Sequence, residues 1–255
     1  MARWPYPVAD LEAPPVLPGL APAPPDFVGV GVQKAGTSWW FGLLADHPGV
    51  HSPASRPKEL HHFARAWSTD PEDADPFAYH RWFARPAGLL AGEWTPRYLY
   101  DWWTPAMLAR VAPEARFLVM LRDPVERYRS GLAFDQARGA RPVALVSDDA
   151  FHRGLYGAQL ARLGAAIPDE QVLVLQYERC AADPAAELDR TYRFLGLAPG
   201  HRPAHLLDHV GPRQAKPDLA PGVVEALREA YAPDLAALFA RLPDLDPGLW
   251  STARP

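Results

Sequence analysis

Cysteine and lysine are both scarce in this chain. Cys180 is the single cysteine among 255 residues, which excludes an internal disulfide framework and a cysteine-rich zinc site. Lysine occurs only at 34, 58 and 216, so each lysine invites a reason. No apolar run approaches the roughly 18 residues that cross a bilayer. Prolines at 5, 7, 14, 15, 18, 22, 24 and 25, with Asp10 and Glu12, interrupt any apolar stretch of a secretory signal near the N-terminus. Neither sign of charge dominates: 26 basic against 30 acidic residues leave a net charge of −4, which gives no general affinity for nucleic acid or anionic membrane. These absences predict a cytoplasmic protein without a nucleic-acid or membrane partner. Any anion binding has to come from a local site, and the oligomeric state stays open.

Hydrophobic residues make up 48% of the chain and charged residues 22%, enough apolar material for a packed core. Residues 1–26 are proline-rich and aperiodic, and read as an extended N-terminal extension. Residues 27–255 read as one domain. Phe27 to Val32 is a short apolar, β-branched run, the pattern of a buried strand. A loop, Gln33 to Ser38, and a helix from Trp39 to Asp46 follow, stopped at His47-Pro48. A second strand, Arg116 to Leu121, enters Arg122-Asp123-Pro124 and a helix over about 125–137, with Pro124 suited to its first turn. A third strand, Gln171 to Gln176, precedes a helix carrying Leu188, Tyr192 and Leu195 and closed by Gly196. Helical spacing also spans Phe151 to Ala166, and the tail from Val223 to Leu242 predicts two short helices divided at Pro233. Strands alternating with helices imply an α/β fold with a central parallel sheet flanked by helices.

The first strand–loop–helix has an anion site's chemistry. Gly31-Val32-Gln33-Lys34-Ala35-Gly36-Thr37-Ser38 nearly fits the nucleotide loop GxxxxGK[ST], but its lysine precedes the second glycine. A loop entering a helix N-terminus aims unpaired N–H groups and a positive dipole end outward. Gly36 permits close approach, Thr37 and Ser38 offer hydroxyls, and Lys34 adds a charge. At the second strand's end, Arg122 could grip a phosphate bidentately, with Ser130 eight residues on as a neutral donor; an ion pair of Arg122 with Asp123 or Glu126 is the plainer alternative. Both motifs fall at strand C-termini, where open α/β sheets bind ligands.

Taken together, these motifs resemble the sulfotransferases that use 3′-phosphoadenosine-5′-phosphosulfate (PAPS). Lys34 to Ser38 is similar to that family's 5′-phosphosulfate loop, and Arg122-Asp123-Pro124 with Ser130 to its 3′-phosphate site. The wording Val32-Gln33-Lys34-Ala35-Gly36-Thr37-Ser38 before His47-Pro48 looks most like the heparan sulfate branch and its bacterial relatives. The resemblance covers Phe27 to about Leu197. It implies a P-loop-like sheet and PAPS as donor, with Lys34, Ala35, Gly36, Thr37, Ser38, Trp39, Arg122, Ser130 and Arg213 as cofactor contacts. Adenosine 3′,5′-bisphosphate is the implied product, and no metal is required. Lys58-Glu59-Leu60-His61-His62-Phe63 resembles the Lys-Glu-x-His-Phe-Phe segment in which the glutamate is the base. Glu59 is therefore the implied base, Lys34 the catalytic cation, and His61 either the aid of Glu59 or its rival. A metal held by Glu59, His61 and His62 is a further alternative.

Glu93-Trp94-Thr95-Pro96-Arg97-Tyr98 resembles a Glu-Lys-Thr-Pro-x-Tyr segment, with Trp94 in place of a lysine; Ala64 likewise replaces an acidic residue. Both changes remove charge from the region that handles an acidic polysaccharide, so a smaller or less acidic hydroxyl acceptor is expected. His62, Trp94, Arg97 and Tyr156 are the expected acceptor contacts, with a stacking role for Trp94; packing is the equal alternative for His62, and a place in the core for Tyr156. Tryptophans 39, 40, 102 and 103 read mainly as packing residues. Lys216 sits in a stretch that loosely resembles the C-terminal cofactor loop. The reading is a sulfonate transfer to a small-molecule or saccharide hydroxyl. The alternatives are a P-loop kinase or NTPase, or a non-catalytic cofactor- or glycan-binding relative.

Overall fold

The structure is a computed structural model and describes residues 12–13, 15–16, 18–137, 143–208 and 215–253. Four strands, β1 (Phe27–Gly31), β2 (Gly92–Trp94), β3 (Arg116–Leu121) and β4 (Val172–Gln176), form one parallel sheet in the order β2-β1-β3-β4. β1 is buried along its whole length and β3 everywhere but Arg116, which explains their unbroken apolar sequences. The helices are α1 (Thr37–Ala45), α2 (Pro76–His80), α3 (Thr104–Val111), α4 (Pro124–Gln136), α5 (Val143–His152), α6 (Tyr156–Gly164), α7 (Tyr177–Ala182), α8 (Pro184–Leu195) and α9 (Pro221–Arg241).

The strand order fixes where a site can form. β1 lies between β2 on one side and β3 on the other, so the chain's connections diverge there and leave a crevice at the C-terminal ends of β1 and β3. The loops leaving these two strands meet: Val32 N–H donates to Met120 O at 3.0 Å, and Arg122 Nη1 donates to Lys34 O at 3.3 Å.

Elsewhere the structure departs from the periodicity. β2 is only three residues long and too short to show alternation. The helical spacing over 151–166 is split into α5 and α6: the chain tightens after His152, where Gly154 N–H donates to Phe151 O at 2.8 Å and Leu155 N–H to His152 O at 3.2 Å, and the same carbonyls also accept Tyr231 Oη and Gln159 Nε2, each at 3.0 Å. Conversely, the expected pair of tail helices is the single helix α9, which runs through Pro233. An internal proline costs about 3 kcal/mol. Here the buried stripe Leu227, Tyr231, Leu235 and Leu238 continues across it, and Asp234 accepts the first amides of α6, from Gly157 at 2.8 Å and Ala158 at 2.9 Å. Packing on both sides holds the axis. Among the described residues no helix is long and apolar enough to cross a membrane.

Candidate active site

The loop after β1 is shaped by two residues in the left-handed region, Lys34 at φ 71° and Gly36 at φ 92°. Gly36 is the N-cap of α1, and a Cβ there would lie 2.7 Å from the Tyr177 ring as well as in a strained conformation. The helix leaves its first amides without intrahelical acceptors, and Thr37 and Ser38 add their hydroxyls. Ala35 is fully buried beneath the loop. Lys34 Nζ lies 4.4 Å from the Phe134 ring centroid on α4, a cation–π contact that packs the ammonium against that helix. The Trp39 side chain is in the core, with its Nε1 donating to Leu206 O at 3.1 Å; only its backbone remains for a ligand.

At the end of β3, Arg122 forms no ion pair among the described residues. The guanidinium lies 4.6 Å over the Tyr177 ring. The carboxylates considered as its partners are engaged elsewhere. Asp123 caps α4 through the Val125 and Glu126 amides at 2.9 and 3.2 Å, and accepts the Ser251 hydroxyl at 2.8 Å. Glu126 pairs with Arg129 at 2.8 Å and Lys216 at 2.6 Å, which accounts for Lys216. Tyr156 Oη donates to Arg122 O at 2.8 Å and fixes the strand end from below. Ser130 is buried on α4. Arg213 lies outside the described residues.

The segment 56–63 brings the acid–base groups to the phosphate-type loop. Lys58 Nζ donates to Thr37 Oγ1 at 3.2 Å, to Ser38 Oγ at 3.1 Å and to Glu59 Oε1 at 2.8 Å. Glu59 Oε2 faces His61 Nε2 at 3.2 Å. Burial alone would raise the Glu59 carboxyl, but the His61 hydrogen bond and the Lys58 ammonium outweigh it and hold the group at about 2. Burial pulls Lys58 below the ordinary lysine value despite Glu59. His61 has φ 51°, and its Nδ1 is buried without a hydrogen-bond partner. Lys34 and His61 are the two non-glycine residues with positive φ among the described residues, and such strain concentrates at functional sites.

Behind this segment stands Glu93 on β2, fully buried. Its carboxylate accepts Leu60 N–H at 3.1 Å, Tyr79 Oη at 2.8 Å, Tyr98 Oη at 3.0 Å and Thr95 Oγ1 at 2.5 Å. Desolvation raises its pKa in spite of these donors. Arg56 adds a second brace, donating to the carbonyls of Trp82 at 3.2 Å and of His51.

The expected acceptor contacts fare differently. Trp94 is fully buried, with Nε1 donating to Gly31 O at 3.1 Å, and its ring occupies the space where a Cβ on Gly29 would sit, 2.1 Å away. It has no face to stack on an acceptor, so that expectation is corrected: the large side chain fills the hollow over a glycine of β1. Tyr156 is fully buried, which is the core alternative, and its hydroxyl donates to Arg122 O. Arg97 is buried and its Nε pairs with Asp101 at 2.5 Å. His62 is exposed beside Phe63 and Tyr79, and Glu59, His61 and His62 do not form a three-ligand group. Lys58 and Glu93 stand in the recognised segments, but sequence reasoning gives neither a role. Lysine scarcity and adjacency to Glu59 were the available signals for Lys58.

Comparison with known proteins points to one family. A family model described as the sulfotransferase family matches residues 78–199. Human heparan sulfate glucosamine 3-O-sulfotransferase 3B1 is 29% identical over 197 residues, 68% of this chain and 46% of that protein. Human bifunctional heparan sulfate N-deacetylase/N-sulfotransferase 3 is 25% identical over 207 residues, 69% of this chain and 22% of that one. The chain thus spans less than half the length of either. A sulfotransferase crystal structure from Alicyclobacillus acidocaldarius superposes with a TM-score of 0.68 at 26% identity, covering 89% of this chain and 99% of that one.

Proposed function

The chain belongs to the sulfotransferase family, and from that premise we propose that it transfers a sulfonate from PAPS to a hydroxyl of a small-molecule or glycan acceptor, with Glu59 as base. The observation that carries the reading is the Lys58 bridge, which ties Glu59 at 2.8 Å to the Thr37 and Ser38 hydroxyls of the anion loop at 3.2 and 3.1 Å.

The donor set suits PAPS. Lys34, Thr37, Ser38 and the first amides of α1 fit a 5′-phosphosulfate, whereas Arg122, stacked on Tyr177 and free of a carboxylate partner among the described residues, fits a second phosphate. The donor supplies an activated sulfonate. Glu59 takes the acceptor's proton as its oxygen bonds to sulfur and the sulfur–oxygen bond to the phosphate breaks. His61 orients the carboxylate from its other oxygen. Lys34 compensates the charge that builds on the departing phosphate, a form of stabilisation commonly worth about 3 kcal/mol.

Titration calorimetry with adenosine 3′,5′-bisphosphate tests the cofactor site without knowledge of the acceptor. Binding to the wild type that weakens at least about tenfold in both Lys34→Ala and Arg122→Ala is expected. A folded wild type that binds nothing would refute the reading.

A further inference from the structure

Lys58 has spent all three of its donors. An ammonium can make three hydrogen bonds, and Thr37 Oγ1, Ser38 Oγ and Glu59 Oε1 take them at 3.2, 3.1 and 2.8 Å. The side chain is 18% exposed, so little water competes. Its main chain is fixed as well, since the Lys58 carbonyl accepts Trp94 N–H at 2.8 Å from the end of β2. The ammonium is therefore held between the anion loop and the base by the fold itself.

Two of its three partners are neutral hydroxyls, and each hydroxyl can accept from Lys58 while donating its own proton to an anion. A hydroxyl whose oxygen faces an ammonium is the better donor for it. An anionic group seated on Thr37 and Ser38 lies within one side-chain adjustment of Lys58 Nζ, and a long unbranched side chain can make that adjustment. We propose that Lys58 is a ligand of the donor's sulfonate, and that it gives up Glu59 for the sulfonate when the donor binds, so that the base is released only with the transferable group in place. The inference rests on the sulfotransferase reading and adds to it a residue and an order of events.

The exchange has a chemical rationale. In the ligand-free site Glu59 is a weak base, its carboxyl held at about 2 by His61 and Lys58 against burial. Once Lys58 turns to the sulfonate, one of those two restraints is gone while burial remains, and the carboxylate becomes more basic. No bond to Lys58 forms or breaks in the transfer; its proton inventory is unchanged.

The test compares two ligands that differ in the sulfonate. Affinities of PAPS and of adenosine 3′,5′-bisphosphate are measured by calorimetry on the wild type, Lys58→Met and Lys58→Arg. The expected result is that Lys58→Met weakens PAPS by about tenfold more than it weakens the bisphosphate, a typical loss for one charge-assisted hydrogen bond, with Lys58→Arg recovering part of it. Retained bisphosphate binding shows that the variant is folded. Equal weakening of both ligands, or none, would overturn the role of Lys58. Failure of the wild type to bind either ligand would instead remove the sulfotransferase reading on which the proposal stands. A second measurement follows the Glu59 carboxyl by ¹³C NMR: saturation with PAPS should raise its titration midpoint and the bisphosphate should leave it in place, and the same midpoint with both ligands would overturn the exchange.

Discussion

The carboxylate of Glu93 accepts the backbone N–H of Leu60 at 3.1 Å, one residue beyond Glu59. A fully buried carboxylate with four donors thereby sets the position of the base without touching it. Glu93→Gln keeps the shape but leaves one acceptor oxygen where there were two, and its NH₂ confronts donors such as Leu60 N–H that cannot turn to accept. A loss of roughly 2–3 kcal/mol in stability is expected, read from urea unfolding. A larger fractional loss of kcat than of donor affinity should accompany it, since the segment carrying Glu59 loosens while the loop after β1 does not.

The α/β class and three of the four strands were legible in the sequence, because β1, β3 and β4 are apolar runs, and so was the position of the loops after β1 and β3, which carry Gly, Lys and Arg. What was hidden depends on tertiary partners. β2 is too short for a pattern, α9 crosses Pro233 while its buried stripe continues, and α5 ends in tight turns at Phe151 and His152 that Tyr231 and Gln159 brace from elsewhere in the chain. At the site, Trp94 was misread because its burial follows from the missing Cβ of Gly29 across the β1–β2 pair. Nothing near Trp94 in sequence announces that.

That packing can be tested directly. Gly29→Ala pushes a methyl group into the Trp94 ring, and overpacking of this kind costs about 1–3 kcal/mol. Trp94→Ala empties the same space and should cost about 3–5 kcal/mol. Thermal melts report both. Once an acceptor is in hand, Trp94→Phe should leave its KM nearly unchanged while lowering Tm, whereas a large rise in KM at unchanged Tm would restore the stacking role.

Tyr156 holds Arg122 through a single hydrogen bond to its carbonyl at 2.8 Å. Tyr156→Phe removes that bond and nothing else of the buried ring. The main-chain fixation of Arg122 is worth about 1 kcal/mol, so adenosine 3′,5′-bisphosphate should bind several-fold more weakly to this variant. Arg122→Lys should lose more, because an ammonium neither stacks on Tyr177 nor forms a fork toward a phosphate. Calorimetry on both variants ranks the effects, and a Tyr156→Phe affinity equal to the wild type would leave Arg122 positioned by Tyr177 and the Lys34 carbonyl.

The pH dependence of stability follows from Glu59. Burial opposes its charge, but the His61 hydrogen bond and the Lys58 ammonium lower its carboxyl from the ordinary 4.5 to about 2 in the folded protein. The unfolded chain therefore binds this proton first as the pH falls, at its ordinary value. Above about pH 4.5 the contribution of Glu59 to stability is complete, and it is lost progressively as the pH falls towards 2. Wild type should thus be more stable than Glu59→Gln near neutrality, with the gap closing over that acid window. The gap is modest, since the carboxylate is 37% exposed and the pairing partly screened. Other carboxylates titrate in both proteins and cancel in the comparison. Parallel urea titrations of the two proteins from about pH 6 down to about pH 3 measure the gap, and a difference that stays constant across the window would mean that Lys58 and His61 do not hold Glu59 as a carboxylate.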